Sequence, residues 1–227
     1  MKKIIFSLGF IWVSTLSFLF AQTTETRTVG AFSKINLKCH ANVYLTQGSP
    51  ASLKVEGSQE DLSILETDVE GETLEIEMKK NHHSSETIKI YVTLPSLQAV
   101  HISGSGDVMG QNTIAAGELD LKISGSGNIK MDVKTTQLMS SASGSGDMEL
   151  SGSSNITKLS VSGSGTIKSY GLESQNADVS VSGSGDCMLT VKNNLYAHLT
   201  GSGNIFYKGK PGVNIEKTGS GKFSHVE

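Results

Sequence analysis

Arginine is almost missing from this 227-residue chain; Arg27 is the only one. Acidic catalytic clusters draw an Arg or Lys to their side, so a single arginine near the start of the chain argues against a polysaccharide-cleaving centre further on. Basic runs are also missing: 19 Lys and Arg stand against 22 Asp and Glu, a formal net charge of −3. Without a basic patch, nucleic acid is excluded as an expected partner. There are two cysteines, Cys39 and Cys187, which allow at most one disulfide if the chain is exported. Both sit among apolar residues of alternating segments, Cys39 between Leu37 and Ala41, and they read as two buried free thiols behaving as small hydrophobes. A long hydrophobic run occurs once, at the N-terminus, and no later segment is apolar enough to span a membrane.

That one run follows Lys2 and Lys3, extends from Ile4 to Phe20 and meets a small residue at Ala21. It reads as a secretory signal peptide, residues 1–21, cleaved after Ala21. No cysteine follows it, so the lipoprotein route is not indicated. Export is therefore expected, to the periplasm, the cell surface or the medium. Cleavage takes Lys2 and Lys3 from the 19 basic residues and leaves 22 acidic ones, a net charge of −5.

What the chain has in abundance is Gly-Ser-Gly. The tripeptide opens at Gly104, Gly125, Gly144, Gly163, Gly183, Gly201 and Gly219, at intervals of 21, 19, 19, 20, 18 and 18 residues. A flexible linker would not keep such a period. A period near 20 marks a solenoid, whose coils bury their apolar faces only by stacking. Numbering each repeat from its first glycine as zero, position −2 reads Ile102, Ile123, Ala142, Val161, Val181, Leu199 and Lys217. Position +4 reads Val108, Ile129, Met148, Ile167, Cys187, Ile205 and Phe223, and position −4 is also mostly aliphatic. These columns share one parity and the intervening −3 and +5 columns are mostly polar, the signature of strands rather than helices. The glycines fall on the inward parity. They mark either corners of positive φ or points where the backbone runs too close to the core for a side chain, and the sequence leaves both open.

Two outward columns flank this core. The central serines, Ser105, Ser126, Ser145, Ser164, Ser184 and Ser202, form a stacked hydroxyl row. Position +3 carries Asp107, Asn128, Asp147, Thr166, Asp186 and Asn204, with Lys222 last. Coils ~4.8 Å apart would make adjacent carboxylates repel, and alternation with Asn or Thr doubles their spacing to ~10 Å, so this column reads as a ladder that dilutes charge first and a ligand face second. The ligand-face candidates are Ser105, Asp107, Ser126, Asn128, Ser145, Asp147, Ser164, Ser184, Asp186, Ser202 and Asn204.

Residues 22–95 form a β-rich half expected to cover the start of the solenoid, which occupies 96–227 as part of one continuous unit. Alternation from Ile35 to Leu45 gives one long strand or two with a bend. Leu53 and Val55, Leu74 to Met78, and Ile88 to Leu94 give further strands. Ser58-Gln59-Glu60-Asp61 resembles an N-cap box opening one short helix. Asn81 to Ser85, with His82 and His83, reads as a solvated loop.

The strand ending Val43-Tyr44-Leu45-Thr46-Gln47-Gly48, then Leu94-Pro95-Ser96-Leu97, then the repeated Gly-Ser-Gly-Asp/Asn, resembles the head GIN domain family of secreted bacterial autotransporter-adhesin-like proteins, over roughly Val29 to Lys222. The resemblance implies an all-β, right-handed parallel β-helix-like solenoid of about seven Gly-Ser-Gly coils, and an adhesin. It supplies no catalytic residues. An autotransporter also needs a membrane barrel, and none is legible before Glu227.

Other chemistry fares less well. Asp107/Asp147 and Asp147/Asp186, two coils apart at ~10 Å, sit at the margin of the separation that glycoside hydrolysis uses. Calcium-binding nonapeptide repeats resemble Gly-Ser-Gly-Asp only superficially, because their period is nine. His101 and His198 are five coils apart, ~24 Å, too far to share a zinc ion. The expectation is a non-enzymatic binding or structural module of the cell envelope with no cofactor and no metal. Its partner would be a glycan or another envelope protein, and it would be a monomer or a small closed oligomer. The rival from another class is a polysaccharide lyase or hydrolase on a β-helix scaffold.

Overall fold

The computed structural model describes residues 23–79 and 87–227. The expected signal peptide and the His82–His83 loop lie outside them. The chain runs through β1 (Thr23–Arg27), β2 (Lys34–Leu37), β3 (Asn42–Gln47), β4 (Ser52–Gly57), α1 (Gln59–Ile64), β5 (Leu65–Glu70), β6 (Thr73–Met78) and β7 (Lys89–Leu94). The repeats follow as β8 (Ala99–Ile102), β9 (Val108–Gly110), β10 (Ile114–Ile123), β11 (Ile129–Ala142), β12 (Met148–Val161), β13 (Ile167–Val181), β14 (Cys187–Leu199), β15 (Ile205–Lys208), β16 (Gly212–Lys217) and β17 (Phe223–His225).

The repeats stack as a parallel β-solenoid. Ile102, Ile123, Ala142, Val161, Val181 and Leu199 are consecutive register partners, as are Val108, Ile129, Met148, Ile167, Cys187 and Ile205. All twelve are buried, so the expected inward columns hold. Ser140 and Ala197, the small members of the −4 column, are buried with them. Each coil has two faces joined by the Gly-Ser-Gly corner: face A follows the corner and face B precedes it. β11 to β14 run along both faces around a far bend, where the inward parity switches: Ile129, Met131, Val133 and Thr135 point inward, then Leu138, Ser140 and Ala142. The uneven repeat length is absorbed away from the corner. The extra residue at Tyr170 is a bulge between Glu149 and Ser151 of the neighbouring coil, and the shorter next coil shifts register between Ser169 and Glu173.

The glycines resolve in favour of close approach. No Gly-Ser-Gly glycine except Gly219 has positive φ. A Cβ on Gly127, Gly146, Gly165, Gly185 or Gly203 would overlap the carbonyl oxygen of the corresponding glycine one coil earlier. The corner is thus a place where backbone packs on backbone, and any side chain would force the coils apart.

The first half does more than cover the start. β2 pairs in parallel with β8 and β3 with β9, putting Leu37 beside Ile102 and Val43 beside Val108. Ile35 to Leu45 is therefore two strands, and the bend between them, Cys39-His40-Ala41-Asn42, occupies the corner that Gly-Ser-Gly-Asp fills later. β6 and β7 pair in parallel on the other side of β2 and β3, although they come later in the chain. Antiparallel strands then close this end: β5 on β6, β4 on β7 and β1 on β4. The helix forms where expected, with Ser58 as N-cap accepting from the Asp61 amide at 3.1 Å. The lone arginine is structural, because Arg27 donates to the carbonyls of Leu62 (2.8 Å) and Leu65 (2.7 Å) and ties β1 to the helix end. Both cysteines are free and buried.

Candidate functional site

The corner is built from three side-chain columns on a backbone that holds them one coil apart. The central serines Ser105, Ser126, Ser145, Ser164, Ser184 and Ser202 are all exposed, as expected. A second hydroxyl column, which attention to the central serine alone misses, lies at position −1: Ser103, Ser124, Ser143, Ser162, Ser182, Thr200 and Thr218, all exposed. Its signal was present as Ser or Thr before every one of the seven Gly-Ser-Gly tripeptides.

The +3 column is a hydrogen-bond ladder. Asp107 Oδ1 accepts from the Asn128 amide at 2.8 Å and from its Nδ2 at 2.9 Å. Asn128 Oδ1 accepts from the Asp147 amide at 2.9 Å, and Asp147 Oδ1 from the Thr166 amide at 2.8 Å. The pattern resumes with Asp186 Oδ1, accepting from the Asn204 amide (2.8 Å) and Nδ2 (2.7 Å), and ends with Asn204 Oδ1 accepting from the Lys222 amide at 2.9 Å. Asn42 begins it, accepting from the Asp107 amide at 3.4 Å. Each side-chain oxygen thus satisfies a main-chain N–H that the bend takes out of the strand ladder. The alternation of Asp with Asn has a reason beyond charge dilution. An Asn can donate to the carboxylate on the preceding coil, which a second ionised Asp cannot.

Beside this ladder, on face A, Asp107, Asn128 and Asp147 line a depression of about 310 Å³ with Lys130, Glu149 and Lys168. Asp186 and Asn204 lie further along the same column. The flanking charges come from position +5 and are paired: Lys130 Nζ to Glu149 at 2.8 Å and Lys168 Nζ to Asp147 at 2.7 Å. Partial burial alone would raise the Asp147 carboxyl. The hydrogen bonds from Lys168 and the Thr166 amide, with the lysine charge, outweigh it and hold the group below the ordinary carboxylate range. Among the described residues, no group of three or more His, Cys, Asp or Glu is placed to hold a metal ion, and no helix is long and apolar enough to cross a membrane.

A stacked parallel β-solenoid, closed at its N-terminal end by antiparallel strands and lined by regular polar corners, defines the structural class of this chain. The family model described as "Putative auto-transporter adhesin, head GIN domain" matches residues 31–211, and the chain belongs to that family. Among solved structures it is similar to a Bacteroides fragilis protein described as a "putative adhesin", at 27% identity and a TM-score of 0.87, covering 91% of this chain and 97% of that one. A Parabacteroides distasonis "putative adhesin" shares the fold at 22% identity and a TM-score of 0.75, covering 91% and 97%. A second protein from that organism, described as a "putative lipid binding protein", does so at 22% and 0.70, with the same coverage. None of the curated proteins matches the chain.

Proposed function

We propose that the chain is an exported, adhesin-like binding module of the cell envelope, freed of residues 1–21 and acting without catalysis or cofactor at the cell surface, in the periplasm or in the medium. The observation that carries this reading is the division of labour at the corner. Asp107, Asn128, Asp147, Asp186 and Asn204 spend side-chain oxygens on the backbone, whereas the serines beside them stand exposed in register. A row of hydroxyls repeating every ~4.8 Å offers many weak, equivalent hydrogen bonds, which suits a repetitive partner such as a glycan. The adhesin descriptions of the family and of the Bacteroides fragilis relative support the same class.

The test is a glycan array probed with the mature chain, Gln22–Glu227, beside a variant carrying Ser145→Ala, Ser164→Ala and Ser184→Ala. The parent should retain particular glycans, and the triple variant should bind those same glycans roughly tenfold or more weakly at an unchanged melting temperature. A parent that retains no glycan would refute the glycan assignment.

A further inference from the structure

We infer that face B carries a second glycan-binding element, a groove running along the stack and holding a linear saccharide chain parallel to the solenoid axis. This rests on the adhesin-like reading and adds a place, a direction and an anchoring residue.

Three depressions lie end to end on this face. The first, about 630 Å³, sits where β8 meets β10 and is roomy because Ala99, Ala116 and Gly117 line it. It shares Asp120 and Met139 with the second, about 250 Å³, and the second shares Asp178 with the third, about 110 Å³. Ala99, Asp120, Met139, Lys158, Asp178 and Tyr196 are consecutive register partners, so the groove crosses five coil steps, ~24 Å. That length suits a polymer rather than a single small molecule.

The lining narrows the polymer's chemistry. Strands β8 and β10 to β14 are paired with neighbours on both sides, so this stretch of face B offers no open sheet edge for an added peptide strand. Recognition must come from side chains. The middle of the groove offers the hydroxyls of Ser160 and Ser180, and Asp120 and Asp178 add acceptors. Tyr196 stands 56% exposed at the far end, beside His198. Hydroxyls, spaced carboxylates and an open aromatic ring are the means by which proteins hold neutral sugars. Lys34 and Lys158 also line the groove, but Glu118, Asp120, Asp178 and Glu216 outnumber them, and with a mature net charge of −5 this disfavours polyanions.

The experiment titrates the mature protein with chitohexaose and cellohexaose, with their disaccharides, and with an extended hexapeptide, by calorimetry. The only tryptophan, Trp12, precedes Gln22, so the emission of the mature chain comes from its five tyrosines, and the part of the ligand-induced change that Tyr196→Ala removes reports on Tyr196. At least one hexasaccharide should bind at least tenfold tighter than its disaccharide. Tyr196→Ala should weaken it about tenfold, and Ser160→Arg, which fills the groove from an exposed position, should abolish it, both with unchanged melting temperatures. If both groove variants bind like the parent while the Ser145/Ser164/Ser184 variant does not, the groove is overturned and the adhesin-like reading stands. If neither hexasaccharide binds, the groove is overturned, and the corner assignment is judged separately by the glycan array. Preference for the hexapeptide, or equal affinity for di- and hexasaccharide, also overturns the groove.

Discussion

Replacing Gly185 with alanine should be far more damaging than its size suggests. A Cβ there would overlap the Gly165 carbonyl oxygen and lie 2.9 Å from both the Gly165 carbonyl carbon and Val161 Cγ1. Ordinary contact needs ~3.5 Å or more, so the two coils must part by about 1 Å. The amides of Ser184 and Gly185 both donate to the Gly163 carbonyl at 3.1 Å, and that parting takes them beyond useful hydrogen-bond range. Two weakened backbone bonds at about 1 kcal/mol each, with disturbed packing of Val161, give a loss of about 3 kcal/mol. For a chain of this size that is roughly 6–12 °C in melting temperature. Gly117→Ala is the control: nothing lies within 4 Å of its Cβ and its φ is not positive, so it should be neutral or stabilise by up to about 1 kcal/mol. Circular dichroism melts and urea titrations of both variants provide the test. Equal stability of Gly185→Ala and Gly117→Ala would refute the close-approach account of the corner.

Val181→Asp should lose at least about 3 kcal/mol by burying an unpaired carboxylate, while Ser180→Asp, one residue earlier and outward, should cost little; similar melts would mean the register is off by one. Burial pushes the Cys187 thiol far above its ordinary value and that of Cys39 upward, so both should resist a thiol reagent at neutral pH until the protein is denatured. A Cys39–Cys187 crosslink in the unreduced protein would contradict this. Because the Asp147 carboxyl is held below its unfolded value, its contribution is present above the unfolded pKa and lost as pH falls through the folded one. Between about pH 5 and pH 2.5 the parent should therefore lose more stability than Asp147→Asn, and parallel acid titrations of the two would show otherwise if Lys168 and Thr166 do not hold the carboxylate. At the far end every residue of β16 is exposed, including Val213 and Ile215, and Lys217 stands in the inward column with Lys222 nearby. We propose that these lysines guard the open end, so Lys217→Val with Lys222→Asn should associate with concentration in light scattering while the parent stays dispersed.

The sequence carried the stack itself because the same apolar positions recur around each Gly-Ser-Gly: Ile123 and Val161 hold position −2 of their repeats and Ile167 holds +4, with polar residues between the columns. It did not carry the corner formed by Cys39-His40-Ala41-Asn42, which has the right flanks in Leu37 and Val43 but none of the glycines. Nor could it show that β6 and β7, later in the chain, lie beyond β2 and β3, since such pairings depend on contacts between distant segments. The role of the glycines needed the distance from one coil's Cβ position to the next coil's carbonyl. At the site, the serine column was legible by position. The ladder chemistry of Asp107, Asn128 and Asp147 appeared only when their oxygens were seen on main-chain amides, and the face B groove depends on which outward columns are small.

The central claim is binding without turnover on a display scaffold. The most direct measurement incubates the mature protein with whichever array glycan it retains and assays the same wells for new reducing ends and unsaturated products. The account predicts retained glycan of unchanged length, with release no greater than in protein-free wells. Catalytic release that scales with protein concentration would contradict it and establish the enzyme reading instead.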